Sequence, residues 1–406
     1  MADEYSELLF KDWVKLMLYH RLFVPYKVWR IRHQDAIDVV FVLSELGVWK
    51  TESLYKAMLE HPRFSPHLAI VSSLENPAAK ASLLEYVRGK GYDYADLGEN
   101  EAIKDHFNAD IIFYQKSYDG IIPDRQRMYE NKTSLFCYVA YAFYSLIQKW
   151  SINQFLLLFA WQVYMENGNS TETLSRISLV KGRNFKLTGL PMEDDFLKYD
   201  SSRPSPWKEM SPARRRIIWA PHHTLPDKKT WLTYSTFLNY CDFMLDLAEK
   251  YRDKIQIAFK PHPLLRPRLD NLWGKEKTDE YFGRWESGEN TQLCEGEYVD
   301  LFMHSDALVH DCGSFTIEYH YTHKPALYLD NGQDHTANMI PYAAEAYNLH
   351  YHANSKEDIE QFILNVIDGI DDKRAEREEY ISKYLTPPGG SACDNIINAI
   401  LGKELK

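Results

Sequence analysis

Residues 37–43 read IDVVFVL, and a polar turn separates this apolar run from a helical pattern at residues 51–60. A run of seven residues rich in β-branched side chains is typical of a strand buried on both faces of a parallel sheet. The pattern repeats, with strand candidates at residues 67–71, 110–114, 135–139 and 162–165 and helical patterns at residues 78–89 and 171–179. Strands that alternate with helices predict a mainly parallel sheet with helices on both faces.

The same alternation restarts after a polar, proline-containing segment at residues 192–215, which is the best candidate for a domain boundary. Strand candidates follow at residues 216–220, 255–259, 307–309 and 326–329, with helical patterns at residues 230–251 and 314–321. We therefore predict an α/β fold with two facing, doubly wound Rossmann-like domains, whose ligands bind at the carboxyl ends of the strands. The predicted divisions are a helical segment at residues 1–35, a first domain at 36–200, a second domain at 201–390 and a helix at 391–406 that crosses back to the first domain.

The composition is that of a globular protein of 406 residues, 45% of them hydrophobic, with 28 tyrosines, 19 phenylalanines and 10 tryptophans. The net charge of −11, from 47 basic and 58 acidic residues, argues against a general nucleic-acid binder, which needs a basic face. The five cysteines contain no C-x-x-C pair, so neither a disulfide framework nor a zinc knuckle is predicted. The apolar tract at residues 134–163 is broken by polar residues and is predicted to be core. Because no secretory signal is visible either, we expect a cytoplasmic protein.

Residues 5–33 carry a charge opposite to that of the whole chain, because six lysines and arginines stand there among aromatic residues with few acids. A helix of this composition is suited to an anionic membrane surface. The alternative is a helical pair that packs on the first domain with its charges in solvent. Both interpretations stay open on the sequence alone.

The strongest local signal is KPHP at residues 260–263, directly after the strand candidate at 255–259. A residue that precedes proline is driven out of the helical region, so Lys260 and His262 are both held extended. Lys260 supplies a positive charge, and His262 can donate hydrogen bonds to a phosphate or transfer a proton near neutral pH. The alternative is a stiff turn with a histidine on the surface.

A second signal is HDCGSFTIE at residues 310–318, where an apolar strand runs through a turn of small residues into a helix. The unpaired amides and the dipole of a helix N-terminus favour an anion, and Gly313, Ser314 and Thr316 lie at this one. The alternative is that Ser314 only caps the helix.

A third signal is WAPHHT at residues 219–224, again at the end of a strand. Metal binding by the adjacent His222 and His223 is awkward without a third nearby ligand, so we favour contact with a phosphate or an acceptor. There is also no GxGxxG, Walker, GxSxG or HExxH motif and no Asp-x-Asp triplet. We therefore expect a diphosphate site that needs neither a metal ion nor another cofactor.

Four segments together carry a resemblance to a known family: KPHP at 260–263, WAPHHT at 219–224, SDALVHDCGSFTIE at 305–318 and HKPALYL at 323–329. They resemble the CDP-glycerol glycerophosphotransferases, the bacterial teichoic-acid and capsule polymerases and primases, which have a two-domain GT-B fold and work at the inner membrane face. The similarity is clearest over residues 187–335. LTGLP at 187–191 and SELGVWK at 44–50 are similar to a capsule-associated branch of the family.

The resemblance implies an acceptor-binding first domain and a nucleotide-binding second domain. It implies that His262, Ser314 and Thr316 contact the donor diphosphate and that Asp311 shapes the turn. The full set of candidates for binding the donor diphosphate and nucleotide is Lys260, His262, His222, Asp311, Gly313, Ser314 and Thr316, and the catalytic candidates in this domain are His262 and His223. The implied reaction is attack by an acceptor hydroxyl on the distal phosphorus of a CDP-polyol, with CMP as the leaving group. The implied partners are this donor and a polyol-phosphate or polysaccharide acceptor, which we expect to be lipid-linked, and no nucleic acid.

One departure from the family concerns the general base. Teichoic-acid polymerases place a Trp-His-Gly triplet in the first domain, but the matching region at residues 137–143 reads CYVAYAF. Glu45, in the turn after the first strand, is our first candidate, because a partly desolvated carboxylate there could accept the proton of the nucleophile. The alternative is an acid in solvent. The acceptor-side candidates are Trp49, Lys50, Tyr138 and Tyr141.

Three functions stay open at this point. The first is transfer of glycerol phosphate or ribitol phosphate from a CDP-polyol to a cell-surface polymer. The second is transfer of a sugar from a nucleotide-sugar by the same GT-B fold, because fold alone does not fix the chemistry. The third is a non-catalytic protein that binds nucleotide or polymer, which the missing Trp-His-Gly would explain.

Overall fold

The computed structural model describes residues 10–118, 120–225 and 234–403. The chain divides into two compact units, one formed by residues 1–195 and 386–406 and the other by residues 196–385. Asp194 attaches the end of the chain to the first unit. Its carboxylate accepts hydrogen bonds from the hydroxyl of Ser391 at 3.0 Å and from the backbone N–H groups of Ala392 and Cys393 at 2.9 and 3.0 Å.

The first unit contains a seven-stranded parallel sheet with the order β3-β2-β1-β4-β5-β6-β7. Its strands are β1 (Ile37–Leu43), β2 (Phe64–Ile70), β3 (Tyr94–Asp96), β4 (Ile111–Tyr114), β5 (Leu135–Val139), β6 (Gln162–Met165) and β7 (Phe185–Leu187). The IDVVFVL run forms β1, and six of its seven residues are buried, as expected for an interior strand. The direction of winding reverses between β1 and β4, which is where doubly wound sheets bind ligands.

Helices cover this sheet and connect its strands. They are α1 (Phe10–Leu18), α2 (Val24–His33), α3 (Glu52–Glu60), α4 (Ala79–Gly89), α5 (Ile103–His106), α6 (Lys149–Ile152), α7 (Phe155–Phe159), α8 (Gly168–Ile177), α9 (Pro191–Leu197) and the C-terminal α18 (Ala392–Leu401). The boundary between the two units lies near the end of α9. Helix α18 packs against α3.

The second unit repeats the plan with a six-stranded parallel sheet of order β10-β9-β8-β11-β12-β13. Its strands are β8 (Arg215–Ala220), β9 (Ile255–Phe259), β10 (Thr291–Leu293), β11 (Ala307–His310), β12 (Ala326–Leu329) and β13 (Tyr351–Ala353). Its helices are α10 (Phe237–Lys250), α11 (Leu265–Trp273), α12 (Lys275–Ser287), α13 (Val299–Met303), α14 (Phe315–Glu318), α15 (Pro341–Leu349), α16 (Lys356–Asp368) and α17 (Arg374–Tyr384). Here the winding reverses between β8 and β11.

Several predicted boundaries were wrong by a few residues. Strand β2 begins at Phe64 rather than at His67 and therefore contains Pro66. A proline has no N–H to donate, but the neighbouring strand β3 pairs with β2 only from Leu68 onward, so no hydrogen bond to β3 is lost. The helix predicted at residues 230–251 begins at Phe237, and residues 230–233 lie outside the described part of the chain. The helix predicted at residues 314–321 is α14 followed by a 3₁₀ turn over Tyr319–Thr322.

The N-terminal segment is one helical run rather than a pair. Helices α1 and α2 continue through a π-helical turn at Tyr19–Phe23, whose flanking residues keep helical angles. One side packs on the first unit, where buried Lys27 lies 3.3 Å from the carboxylate of Asp110. Among the described residues, we find no helix with the length and apolar character required to span a bilayer.

Candidate functional site

Three histidines from two sequence motifs meet at the carboxyl edge of the second sheet. His222 and His223 follow β8, and His262 follows the adjacent β9. The ring centroid of His223 lies 4.3 Å from that of His222 and 4.1 Å from that of His262, and the His222 and His262 rings are 5.1 Å apart. We call these three residues the histidine cluster. The parallel pairing of β8 with β9 brings the WAPHHT and KPHP motifs to one place.

The two loops that carry the cluster are joined by backbone hydrogen bonds. The N–H of Lys260 donates to the carbonyl of Trp219 at 2.8 Å, and the N–H of His262 donates to the carbonyl of Pro221 at 3.2 Å. Because prolines restrict the backbone next to His222 and on both sides of His262, the imidazoles are fixed by the chain as well as by packing.

Hydrogen bonds to backbone groups set the tautomers of two of the imidazoles. Nδ1 of His262 accepts from the N–H of Leu264 at 3.1 Å, and Nδ1 of His222 accepts from the N–H of Thr224 at 3.3 Å. The hydroxyl of Thr224 also lies 2.9 Å from Nδ1 of His222 and itself accepts from the N–H of Tyr234. A neutral imidazole with an accepting Nδ1 carries its proton on Nε2. His222 and His262 therefore offer Nε2–H donors.

Burial and nearby positive charge keep the cluster neutral at pH 7. Burial is the main cause that lowers the pKa of His222 to about 3, of His223 to about 4 and of His262 to about 2. The guanidinium of Arg268 lowers all three pKa values further, and neighbouring imidazoles of the cluster lower those of His222 and His262. A bound anion would oppose the effect of the nearby positive charge and raise these pKa values, because a negative charge favours the protonated imidazole.

Asp311 connects the histidine cluster to the third motif. Its side chain is fully buried, and Oδ1 accepts a hydrogen bond from the backbone N–H of His222 at 2.5 Å. Oδ2 accepts from the N–H and the hydroxyl of Thr236 at 2.6 and 2.9 Å. Burial raises the pKa of this carboxyl to about 6, although the hydrogen bonds from Thr236 and His222 oppose the shift. One carboxylate thus ties the loop after β8 and the start of α10 to the turn after β11.

Two hydroxyl groups in the turn after β11 were predicted to contact the donor diphosphate, and only that of Ser314 belongs to an exposed residue. Ser314 is exposed, makes no capping bond from its side chain, and has its hydroxyl 3.2 Å from the sulfur of Cys312. Thr316 is buried and donates its hydroxyl to the carbonyl of Cys312 at 3.3 Å. A Cβ on Gly313 would lie 3.9 Å from the hydroxyl of Tyr234, so this ring covers one side of the turn.

Lys260 is buried, and its ammonium donates to the carbonyl of Gly296 at 2.8 Å. Its Nζ also lies 5.6 Å from the centre of the Tyr298 ring. Lys260 therefore anchors the loop after β10, and after burial its charge is also one of the causes that lower the pKa of His262. The guanidinium of Arg268 contributes to the lowered pKa of all three imidazoles. Sequence analysis missed Arg268, although it lies six residues after His262 in the same segment and begins the second turn of a helix that starts at Leu265.

In the first unit, Glu45 follows β1 and forms an ion pair with Lys116, which follows β4. Oε1 of Glu45 accepts from Nζ of Lys116 at 2.6 Å and from the hydroxyl of Ser73 at 2.8 Å. Glu75 also lies 3.4 Å from this lysine. The predicted base thus lies where the winding of the first sheet reverses, and both contacts use one of its two oxygens.

The acceptor-side candidates are placed differently from one another. Trp49 and Tyr138 are each 5% exposed and belong to the core of the first unit, so their positions support packing rather than acceptor contact. Lys50 and Tyr141 are partly exposed. Burial is the main cause that raises the pKa of Tyr141, the carboxylates of Glu75 and Glu45 add to this shift, and a hydrogen bond with Tyr118 opposes it.

The histidine cluster is also the group that most nearly fits a metal ion, since one nitrogen from each residue lies within 4.8 Å of the others. A metal ligand must offer a lone pair, and the Nδ1 lone pairs of His222 and His262 already accept hydrogen bonds. The charge of Arg268 further opposes a cation. The donor set suits an anion better than a metal ion.

The family model for CDP-glycerol:poly(glycerophosphate) glycerophosphotransferase matches residues 162–401. The chain belongs to this family. The match covers the histidine cluster, Arg268 and Asp311, and membership identifies the chain as a transferase with a glycerophosphotransferase or glycosyltransferase role. The family uses a nucleotide-activated donor and a polymer acceptor.

Solved structures with the same fold include the wall teichoic acid polymerase TagF, at 12% identity with 95% of each chain covered and a TM-score of 0.60. The S. aureus MnaA–UDP structure is similar at 16% identity, covering 90% of this chain and 96% of that one, with a TM-score of 0.57. The structure of Neisseria meningitidis UDP-GlcNAc 2-epimerase bound to UDP-GlcNAc is similar at 14% identity, covering 91% of this chain and 100% of that one, with a TM-score of 0.54. A search of curated proteins finds no match. The predicted fold class, two doubly wound α/β units of the GT-B type, is confirmed.

Proposed function

We propose that this chain transfers glycerol phosphate, or ribitol phosphate, from a CDP-polyol to a hydroxyl of a cell-surface polymer precursor and releases CMP. The observation that carries the proposal is the histidine cluster beside Arg268, in the part of the chain that the family model matches. Neutral imidazoles with defined Nε2–H donors and a nearby guanidinium suit the two phosphates of such a donor.

The proposed reaction is a displacement at the distal phosphorus. The oxygen of the acceptor hydroxyl forms the new P–O bond, the bond to the bridging oxygen breaks, and CMP leaves with that electron pair. The Nε2–H groups of His222 and His262 and the charge of Arg268 would stabilise negative charge on the phosphoryl oxygens. Catalysis of this kind depends on positioning and electrostatics rather than on a covalent intermediate.

Glu45 remains our candidate for the base that takes the proton of the acceptor hydroxyl. Lys116 and Ser73 both contact Oε1, which leaves Oε2 of the carboxylate as the oxygen to accept a proton. The ion pair would hold the carboxylate in one orientation, as a base needs.

The identity of the released nucleotide tests the proposal. Purified protein is incubated with CDP-glycerol and a glycerol-phosphate primer, and chromatography separates CMP from CDP. Release of CMP together with a new phosphodiester supports polyol-phosphate transfer. Release of a nucleoside diphosphate from a nucleotide-sugar would support the alternative of glycosyl transfer, and no turnover of either donor would favour a non-catalytic role.

We further propose that the enzyme works on the inner face of the cytoplasmic membrane, to which helices α1 and α2 attach it, and that its acceptor is lipid-linked. Large apolar side chains of this segment are exposed, including Phe10 (84%), Leu22 (65%) and Trp29 (60%), and Arg21, Arg30 and Arg32 are exposed among them. A groove of about 730 Å³ runs beside the segment and adds Arg183 and Lys186 to its wall. Aromatic and basic side chains together suit anionic lipid.

A further inference from the structure

The second unit contains a groove at the end of its sheet opposite to the histidine cluster. Its volume is about 710 Å³, and its wall includes the consecutive residues Arg214, Arg215 and Arg216 together with Lys254. These residues stand at the amino ends of β8 and β9. Strand β8, from Arg215 to Ala220, separates the groove from the cluster, and at about 3.3 Å per residue this strand is roughly 17 Å long.

The charge of this groove opposes that of the chain. Four lysine and arginine residues line it against two carboxylates, those of Asp253 and Asp306, while the whole chain carries −11. The carboxylate of Asp306 is occupied, because it accepts from the N–H of Arg216 at 2.8 Å and lies 3.3 Å from Nη1 of Arg215. The lining thus carries two more basic than acidic side chains.

Arg214, in the wall of the groove, has hydrogen-bond donors without acceptors in the described part of the chain. Its side chain is 7% exposed, and Nη2 donates to the exposed carboxylate of Glu289 at 2.9 Å. Its Nε and Nη1 are buried and have no acceptor among residues 10–118, 120–225 and 234–403. Nε2 of His304, another residue of the wall, is buried and unpaired in the same part of the chain. A buried donor without an acceptor costs free energy, which an oxygen-rich anion would offset.

We propose that this groove binds phosphodiester groups of the polymer that the enzyme extends. The inference rests on the proposed function, and it adds a polymer-binding site separate from the donor site. Phosphodiesters fit because each repeat carries one negative charge and two unesterified oxygens, which guanidinium groups bind in pairs. A site at the opposite end of β8 from the histidine cluster would retain the chain between successive additions.

The experiment measures binding of a fluorescent, soluble glycerol-phosphate oligomer to the full chain by anisotropy. The test variant is R215A/K254A, which removes two exposed cations of the groove. The control is K250A/R252A, which removes two exposed cations of the same unit outside it. We expect at least a tenfold weaker affinity in the test variant, wild-type affinity in the control, and unchanged binding of CDP-glycerol in both.

Two results would overturn the proposal: equal oligomer affinity in the test variant and the control, or equally strong binding of polyglutamate of the same charge, which would show a general attraction to anions. Because oligomer binding needs no turnover, this result is independent of the released nucleotide. A wild-type protein that binds the oligomer through the groove but releases no CMP would contradict the proposed reaction and not the groove.

Discussion

The backbone N–H of His222 donates a 2.5 Å hydrogen bond to Oδ1 of Asp311, and these residues come from motifs 89 positions apart in the chain. Oδ2 of the same carboxylate accepts hydrogen bonds from the N–H and the hydroxyl of Thr236, the residue directly before α10. The position of the histidine cluster therefore depends on a buried acid whose hydrogen bond to the cluster comes from the backbone N–H of His222. Asp311 acts as a positioning residue.

Replacing Asp311 by asparagine tests this role. An amide can accept at one atom only, so the N–H groups of His222 and Thr236 would compete for it. We expect the free energy of unfolding to fall by roughly 2 kcal/mol and affinity for CDP to fall with it. Asp246→Asn, at an exposed position on α10, is the matched control and should change neither. Wild-type CDP affinity in the Asp311 variant would remove its positioning role.

His262→Asn separates the role of the ring from the role of its backbone contact. The side-chain oxygen of asparagine can still accept from the N–H of Leu264, but the Nε2–H donor is lost. We expect an unchanged unfolding transition and CDP affinity weakened about 10- to 100-fold, the usual range for a hydrogen bond to a charged group. His67→Ala, a partly exposed histidine of the first unit, serves as the control in isothermal titration calorimetry. Wild-type affinity in the asparagine variant would refute a diphosphate contact.

Glu45→Gln tests the proposed base. If Oε2 takes the proton of the acceptor hydroxyl, kcat should fall by about 100-fold or more while the KM for the donor changes little. Glu75→Gln is the matched control, because Glu75 is also near Lys116 but its side chain is 60% exposed. Steady-state kinetics that show the same kcat in both variants would send the search for the base elsewhere.

Stability should fall in mild acid because several histidines are buried and neutral. Burial lowers the pKa of His310 and of His320 to about 3 and that of His350 well below its usual value. The unfolded chain therefore binds protons first as the pH falls below about 6.5, and each group costs up to about 1.4 kcal/mol per pH unit. Asp311 has the opposite effect. Because burial raises its pKa to about 6, the folded protein holds this proton more tightly than the unfolded chain, and its contribution to the free energy of unfolding falls as the pH rises from 4 to 6.

The histidine cluster adds to the loss of stability in mild acid, because the pKa values of His222, His223 and His262 are also lowered. We expect the buried histidines to outweigh the one carboxyl, so the free energy of unfolding in urea should drop steadily from pH 7 to pH 5 at fixed ionic strength. His350→Gln should reduce the slope of the free energy of unfolding against pH by the equivalent of about one bound proton. A flat profile in the wild-type protein would contradict the account of these buried imidazoles.

The N-terminal surface makes a prediction about vesicles. Trp13→Ser with Trp29→Ser removes two exposed rings from α1 and α2 and should reduce sedimentation with vesicles that contain anionic lipid. Trp150→Ser is the control, since this ring is exposed to 42% on the first unit outside the helical run. Binding of the wild-type protein should also weaken with salt. Equal sedimentation of all three proteins would favour simple packing of the helical run.

The parts of the fold that could be predicted are those whose burial leaves a pattern in the sequence. Strands β1, β5, β6, β9 and β12 have the bounds expected from their apolar runs. The edge strands β3, β7, β10 and β13 are three residues long and were missed, because so short a strand has no recognisable period. The meeting of KPHP with WAPHHT followed from parallel pairing, since neighbouring parallel strands end at the same edge.

The rest of the site depends on contacts between distant residues. No local pattern pairs Glu45 with Lys116, which lies 71 positions later. Burial explains two further differences, because Trp49 and Tyr138 were acceptor-side candidates on the sequence and the structure encloses both in the core of the first unit. The mutual placement of Arg268 and the three imidazoles arises from helix α11 starting directly after the KPHP turn.

The most direct measurement of the central claim is a crystal structure of the protein with CDP-glycerol. We expect diphosphate oxygens within hydrogen-bond distance of the Nε2 atoms of His222 and His262, with the guanidinium of Arg268 beside them. A diphosphate bound elsewhere, or imidazoles that coordinate a metal ion in its place, would contradict this claim.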